Sequence, residues 1–168
     1  MTVYASKPEI NVREKLKELD YGHVPYEKMP AGSVIQVKYV SRTSDVSTST
    51  TSGWTTIDSM EFTPMFSNSI LELSVDYSMG TQSGVNARFR FSDDDGEIER
   101  TGIYNGDDGA TEDAWPARNN WTHFYKPNSN ATKTYYFQGM KTGGSGVIWY
   151  HTYGASTTSF FIIREIKQ

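Results

Sequence analysis

The residues of this sequence that could bind a metal ion are concentrated in two acidic stretches. The first spans 93–99 and reads DDDGEIE. Carboxylate oxygens are ligands that Ca²⁺ prefers, but an EF-hand loop needs glycine at its sixth position, and Gly96 is the fourth residue here. The dipeptide Asp95-Gly96 between two alternating runs indicates a hairpin turn instead. We therefore expect a solvated turn at 93–99 and another at 105–113, where the long loop to Trp115 leaves calcium binding more open.

No nucleophile or metal-ligand motif accompanies these carboxylates. The chain has no cysteine, so it has no disulfide, no thiolate zinc site and no thiol nucleophile. Its histidines, His23, His123 and His151, have no partner at metal-ligand spacing, and HExxH, GxSxG, P-loop and GxGxxG patterns are missing. The sequence therefore predicts a protein that is not an enzyme and that needs neither a metal nor another cofactor.

Composition bounds the class of protein and its partners. The chain has 168 residues, enough for one ordinary domain, with 16 Lys and Arg against 20 Asp and Glu. A net charge of −4 argues against a general nucleic-acid binder, and the apolar runs are too short for membrane insertion. Leucine occurs only 4 times, whereas isoleucine and valine occur 10 times each and aromatic residues 23 times. Because β-branched and aromatic residues favour strands, we expect an all-β protein.

Two segments, 70–79 and 85–92, alternate strictly between apolar and polar residues. Such alternation is typical of an antiparallel sheet that covers a core on one side. The residues expected to face inward are Leu71, Leu73, Val75, Val85, Phe89 and Phe91. Weaker strands are predicted over 33–41, 55–62, 98–104, 121–126, 132–140, 146–153 and 157–166. About nine short strands separated by turn residues predict an antiparallel, jelly-roll-like β-sandwich with a short N-terminal helix.

The first predicted strand and the segment that follows it differ in character. In 33–41, alternation places Ile35, Val37 and Tyr39 on one face. From 41 to 56, 11 of 16 residues are Ser or Thr. A segment so polar buries little apolar area, so we expect a surface loop or a polar edge strand.

The one predicted helix covers residues 6–22. Val12, Leu16 and Leu19 form a single narrow apolar stripe on it, and the other faces are charged. A helix this short is marginal alone and needs a surface to lie on. The stripe either packs on the chain's own domain or docks onto another protein. The prolines of 23–32 indicate a stiff linker after the helix.

The stretch from 115 to 153 is rich in aromatic residues. Adjacent aromatics in a strand point to opposite faces, so Tyr135 and Tyr136 cannot both lie in the core. Apart from ordinary exposed tyrosines, the rings outside the core indicate either a subunit interface or a platform on which sugars stack. The candidate residues for these two roles are Trp115, Trp121, Tyr135 and Trp149.

Residues 29–168 also carry a series of short motifs in a defined order. They are a Pro-Ala-Gly entry into an Ile-Gln-Val strand at 30–37, a Ser/Thr-rich stretch at 47–52, Thr63-Pro64 at a strand end, Ser-Asn-Ser-Ile-Leu at 67–71, and a closing Thr-Ser-Phe strand that ends at Glu165-Ile166. In this order the motifs resemble a family of small β-domains in tailed-phage virion proteins, common in fibres of marine and cyanobacterial phages.

The resemblance implies a non-enzymatic virion structural protein on the particle surface, often trimeric. We expect a homotrimeric capsid decoration, head fibre or short tail fibre, in which 1–28 dock onto another capsid or tail protein and 29–168 form a β-sandwich head. The residues expected to make the docking contact are Val12, Leu16, Leu19 and Tyr21. The alternative is a carbohydrate-binding β-sandwich module, or a receptor-binding tip, whose exposed Trp and Tyr bind host surface glycans.

Overall fold

The computed structural model describes residues 26–81, 84–101, 104–105, 117–150 and 158–168. The helix predicted over 6–22 lies outside these ranges. Within them the chain forms one 3-10 turn, η1 (Tyr26–Lys28), and eleven strands. The strands are β1 (Val34–Arg42), β2 (Val46–Thr48), β3 (Thr55–Phe62), β4 (Ile70–Thr81), β5 (Asn86–Asp93), β6 (Gly96–Arg100), β7 (Tyr104–Asn105), β8 (Ala117–Tyr125), β9 (Lys133–Gly143), β10 (Ile148–Tyr150) and β11 (Ser159–Ile166). No helix in this part of the chain has the length and apolar character needed to span a membrane.

The strands form two antiparallel sheets. The first sheet has the order β1-β11-β4-β10-β2, with β8 also paired to β4, and the second has the order β3-β9-β5-β6, with β7 paired to β5. The eight main strands pair as nested hairpins: β5 with β6, β4 with β8, β3 with β9, and β1 with β11. A long hairpin rolled up in this way is the jelly-roll arrangement. The predicted all-β antiparallel sandwich is confirmed.

The core lies between the two sheets, on the side to which the apolar residues of segments 70–79 and 85–92 point. All six residues predicted to face inward are buried, and none is more than 3% exposed. They lie on β4 and β5 or directly before β5, so each sheet contributes its own strand to one continuous cluster. Aromatic rings from both sheets meet there: the centroid of Phe89 lies 5.1 Å from that of Tyr77 and 5.6 Å from that of Tyr150.

Strand β1 differs from its prediction in which side chains share a face. A β-bulge between Val34 and Gln36 shifts its register against β11. Ile35 is buried, whereas Val37 and Tyr39 are 54% and 65% exposed. The expectation that Ile35, Val37 and Tyr39 share one face is therefore wrong, because the extra residue of a bulge reverses the alternation that follows it.

Polar side chains on the inner side of β1 bridge the two sheets. Lys38 Nζ donates a hydrogen bond of 2.7 Å to the carbonyl of Glu61 on β3. Arg42 Nε donates to Asp58 Oδ1, also on β3, at 2.8 Å. These bridges cover the edge of the sandwich between β1 and β3. The Ser/Thr-rich segment continues this edge as the short strand β2, in agreement with one of its two predicted forms.

Candidate functional site

The first acidic stretch forms the turn between β5 and β6, and Asp93 organises it. Asp93 Oδ1 accepts hydrogen bonds from the backbone amides of Asp95, at 2.9 Å, and Gly96, at 3.2 Å. Its Oδ2 accepts from the Tyr125 hydroxyl at 3.2 Å and from Lys133 Nζ at 3.0 Å. Gly96 has φ of +139°, a conformation that side chains disfavour. Burial raises the pKa of Tyr125, with a further contribution from the Asp93 carboxylate.

The other two carboxylates of the turn are also engaged. Asp94 accepts hydrogen bonds from the backbone amide of Thr134, at 2.8 Å, and the Tyr136 hydroxyl, at 3.1 Å. The amide of Thr134 is the main reason that the pKa of Asp94 lies below its usual value. Lys133 Nζ donates to Asp95 Oδ2 at 2.6 Å, and this bond is the largest cause of the raised pKa of Lys133.

These contacts explain how the acidic turn is stabilised. Lys133 lies between Asp93 and Asp95, so protein groups already satisfy and partly neutralise the carboxylates. The hairpin predicted at 93–99 is confirmed, but its first carboxylate, Asp93, is buried and paired rather than solvated. In the described ranges, no group of three or more His, Cys, Asp or Glu is arranged to hold a metal ion. Beyond Asn105, the second acidic stretch, 105–113, lies outside the described residues.

A second buried carboxylate, Glu165, lies at the end of β11 and is fully buried. It accepts hydrogen bonds from the backbone amides of Met65, at 2.9 Å, and Phe66, at 3.1 Å. Gln36 Nε2 donates to the same carboxylate at 2.7 Å and to the carbonyl of Thr63 at 2.7 Å. Glu165 therefore fastens the loop between β3 and β4 to both β1 and β11.

The neighbouring Lys167 fastens the entry of the chain to the same end of the sandwich. Its backbone carbonyl accepts from the amide of Gly32 at 2.7 Å, and its amide donates to Ser33 at 2.9 Å. Its Nζ donates to three carbonyls of the entry segment, those of Tyr26 at 3.0 Å, Glu27 at 2.6 Å and Met29 at 2.7 Å. The residues that lead into β1 are thus tied to the C-terminal end of β11.

Most of the motifs that carry the resemblance to virion β-domains meet at this end. The Pro-Ala-Gly entry at 30–32, the Ile-Gln-Val strand, Thr63-Pro64 and Glu165-Ile166 all contribute to the contacts of Glu165 and Lys167. We name this set of contacts the closing cluster. Its role is structural, because every donor in it is paired with an acceptor from the chain itself. Sequence reasoning missed the contacts, although a glutamate on the inward phase of a strand, after Phe161 and Ile163, was a usable signal.

Of the four candidate stacking residues, the structure describes the side chains of two, Tyr135 and Trp121. Tyr135 is fully buried, and burial raises the pKa of its hydroxyl. Since a ring without exposed surface cannot stack on a sugar or a second subunit, Tyr135 belongs to the core. Trp121 is half-buried, and its ring stacks on Phe91 at 4.2 Å between centroids. Trp115 lies outside the described residues, and Trp149 is placed by its backbone alone, beside Gly80 on β4.

The remaining predicted site residues give few contacts. Val12, Leu16, Leu19 and Tyr21, predicted to dock onto a virion protein, lie outside the described residues. His123 Nδ1 lies 3.7 Å from a carboxylate oxygen of Glu99, which is a single contact and not a ligand set. His23 and His151 are also outside the described ranges.

The outer face of the first sheet carries an unexpected apolar surface. Register places its members next to one another on β1, β11 and the start of β4. We name this surface the outer band: Val34, Val37, Tyr39, Phe160, Ile162, Ile166 and Ile70. The rings of Tyr39 and Phe160 make an edge contact at 6.3 Å. Arg164 and Glu72, which lie among these residues on the same face, form an ion pair.

The outer face of the second sheet is polar and linked by its own hydrogen bonds. Gln138 Oε1 accepts from Arg90 Nε at 2.7 Å and from Ser92 Oγ at 3.0 Å, and Gln138 Nε2 donates to Thr56 at 3.1 Å. The guanidinium of Arg90 also lies 4.5 Å from the centroid of the Trp54 ring. These bonds connect β3, β5 and β9 within one chain, although Arg88 Nε and Thr142 Oγ1 on the same face have no hydrogen-bond partner among the described residues.

Comparison with known proteins gives matches only among solved structures. No family model matches the chain, and no curated protein matches it. A structure of the VP2 subviral particle of infectious bursal disease virus matches with a TM-score of 0.40 and 14% identity. A structure of the Gx strain of the same virus matches with a TM-score of 0.34 and 12% identity. Each match covers 79% of this chain, which spans only 38% of the viral chain.

Proposed function

We propose that this chain is a non-enzymatic structural protein of a tailed-phage particle, displayed on its surface as a capsid decoration, head fibre or short tail fibre. The observation that carries the proposal is the closing cluster. Motifs that lie far apart in the sequence, and that resemble virion β-domains in their order, contact one another around Glu165 and Lys167. Contact of this kind is expected if the motifs belong to one folding unit. The motifs that carry the resemblance are thus the ones that hold one end of the jelly-roll sandwich together.

The proposal includes assembly and attachment. Three copies form the appendage, and the segment 1–28 of each docks onto another capsid or tail protein through Val12, Leu16, Leu19 and Tyr21. The anchoring of Tyr26 to Lys167 supports this arrangement, because it fixes where the N-terminal segment leaves the head. A docking segment attached at one end of a compact head is suited to display that head away from the particle.

The alternative, a carbohydrate-binding module or receptor-binding tip, needs a row of exposed rings. Tyr135 and Trp121 are covered by the core or by Phe91, so they do not supply that row. Among the four candidate residues, host glycan binding would therefore depend on Trp115 and Trp149. No contact in the described part of the chain favours this function over the structural one.

The test of the proposal is incorporation into particles. In a phage that encodes the full chain, antibody labelling and mass spectrometry of purified particles should detect it at a fixed copy number. Leu16→Glu with Leu19→Glu should reduce incorporation at least tenfold and leave the head folded. Lys17→Glu, on a charged face of the same predicted helix, is the matched control and should incorporate normally. Absence of the wild-type chain from purified particles would refute the structural role.

A further inference from the structure

The outer band has no function in the account so far. It lies on the opposite side of the first sheet from the core, so it does not serve the packing of the sandwich. Val34, Val37 and Tyr39 are 46%, 54% and 65% exposed, and the other members are partly exposed. Phe124 on β8, 60% exposed, extends the same face. An apolar patch of a few hundred Å² is about the largest that a typical soluble monomer exposes, and such a patch is often functional.

The size of the outer band fits a subunit interface. A large aromatic side chain covers about 150–250 Å² when fully buried, and a valine lies near the lower end of that range. The exposed fractions of Val34, Val37, Tyr39 and Phe124 therefore amount to roughly 400 Å² of apolar area. A standard interface buries about 800 Å² on each partner, of which a little over half is apolar. The outer band therefore offers about the apolar area of one such interface, which around a threefold axis is divided between two neighbouring copies.

Charge favours a second copy of this chain as the occupant. Each chain carries a net charge of −4, so two copies repel one another over most of their surfaces. In the outer band that repulsion is weak, because the charges of Arg164 and Glu72 cancel in an ion pair. A neutral apolar surface is complementary to the same surface on another copy, and tyrosine and phenylalanine are enriched in such contacts.

The edge of the sandwich next to β1 is not the contact. Lys38 and Arg42 point inward from β1 and hydrogen-bond to β3, and inward-pointing charged side chains on an edge strand disfavour pairing with a strand of another chain. The outer face of β1 and β11 is open, whereas the edge strand β1 carries these charged side chains. Contact between copies is therefore expected through side chains on the face rather than through a sheet that continues across subunits.

We propose that the outer band is the surface through which copies of this chain pack on one another. The proposal rests on the proposed function only in expecting three copies. Around a threefold axis, the β1 and β11 faces point inward, and the polar outer face of the second sheet points to solvent. Val37, Tyr39 and Ile162 lie in the middle of the contact, where exclusion of water is most complete.

The natural lack of cysteine makes a direct test possible. Tyr39→Cys places one thiol in the outer band, and Ser59→Cys places one on the exposed outer face of β3 as the matched control. In the full chain, maleimide labelling at position 39 should be at least tenfold slower than at position 59. Dilution that dissociates the assembly should abolish the difference. A second variant, Val37→Asp, should lower the mass in solution to that of one chain, while its melting temperature stays close to that of the wild type at a dilution where the wild type is dissociated.

The outcomes separate this inference from the proposed function. Fast labelling at position 39 in a protein that is oligomeric by mass would overturn the outer band as the interface and leave the trimer standing. Slow labelling in a protein that is monomeric at every concentration would show that the chain's own segment before Tyr26 covers the band, which also overturns the inference. Neither result decides whether the chain is part of a particle, because that depends on incorporation.

Discussion

The two outer faces of the sandwich differ although the two sheets share one core. On the second sheet, Gln138, Arg90 and Thr56 satisfy each other through hydrogen bonds. On the first sheet, Val37 and Tyr39 expose apolar side chains that the fold does not bury. The second sheet shows that a strand pair in this sandwich is stable with a polar exterior. The apolar exterior of the first sheet is therefore not a requirement of the sandwich itself, and the proposed contact between copies accounts for it.

The largest effect should come from the core that both faces depend on. Phe89→Ala removes a ring that contacts Tyr77 and Tyr150 of the opposite sheet, and it should cost about 3–5 kcal/mol in the free energy of unfolding. The matched control Phe124→Ala removes an exposed ring from the outer face of the first sheet. Measured on the dissociated chain, it should change stability by less than about 0.5 kcal/mol. Equal losses in urea unfolding would contradict the division into core and outer face.

The closing cluster should give the next largest effect, because it holds the end of the sandwich at which both sheets meet. Glu165→Gln keeps the shape of the side chain but turns an acceptor oxygen into a donor that opposes the amides of Met65 and Phe66. We expect a loss of about 1–3 kcal/mol, the cost of buried donors left unpaired. Glu61→Gln, at an exposed position of β3, is the control and should unfold like the wild type. If Glu165→Gln had the same urea unfolding midpoint as the wild type, these hydrogen bonds would contribute nothing to stability.

Acid should weaken the polar side of the molecule through Asp94. Its folded-state pKa lies below the usual 3.8, chiefly because it accepts the amide of Thr134. A carboxylate of this kind adds stability above its unfolded pKa, and that contribution is lost as the pH falls through the folded value. Asp94→Asn should therefore lose less stability between pH 7 and pH 3 than the wild type. Asp45→Asn, at another exposed position, is the control and should lose as much stability between pH 7 and pH 3 as the wild type. An equal loss in Asp94→Asn would show that the hydrogen bond from Thr134 to Asp94 does not cause the acid sensitivity.

The smallest effect on the fold should come from the outer band itself. Tyr39→Ser should change the stability of the dissociated chain by less than about 0.5 kcal/mol, because its side chain is mostly exposed. Ser59→Ala on the other sheet should do the same. The two variants should differ only in association, which unfolding measured at low and at high protein concentration detects. If Tyr39→Ser lost much of its free energy of unfolding at low protein concentration, the Tyr39 ring would be shown to stabilise the single chain.

Much of the fold follows from local patterns in the sequence. The strict alternation in 70–79 and 85–92 identifies β4 and β5 and the residues that face the core, because one face of each strand is buried and the other is not. The turn at 93–99 follows from Asp95-Gly96. The face of Tyr39 did not follow, because the bulge at Val34 has no signal in composition or alternation and reverses every later residue.

The contacts that hold the sandwich together were harder to predict, because they join residues distant in sequence. Glu165 meets Met65 across 100 positions, and Lys133 meets Asp93 across 40. The usable signal was charge at an inward position of an alternating strand, since a buried charge needs partners. A charge at such a position predicts that the side chain has hydrogen-bond or ion-pair partners, but it does not predict which residues they are. The outer band was missed for a related reason: alternation identifies two faces of a strand but does not show which exposed apolar side chains adjoin across strands.

The mass of the full chain in solution shows whether three copies of it associate. Sedimentation equilibrium should give three times the 19.0 kDa of one chain, with dissociation to single chains on dilution. This result is expected because the outer band removes about half of a standard interface from water on each copy. A single 19.0 kDa species that persists at the highest concentration reached would contradict both the trimer and the outer band as its interface.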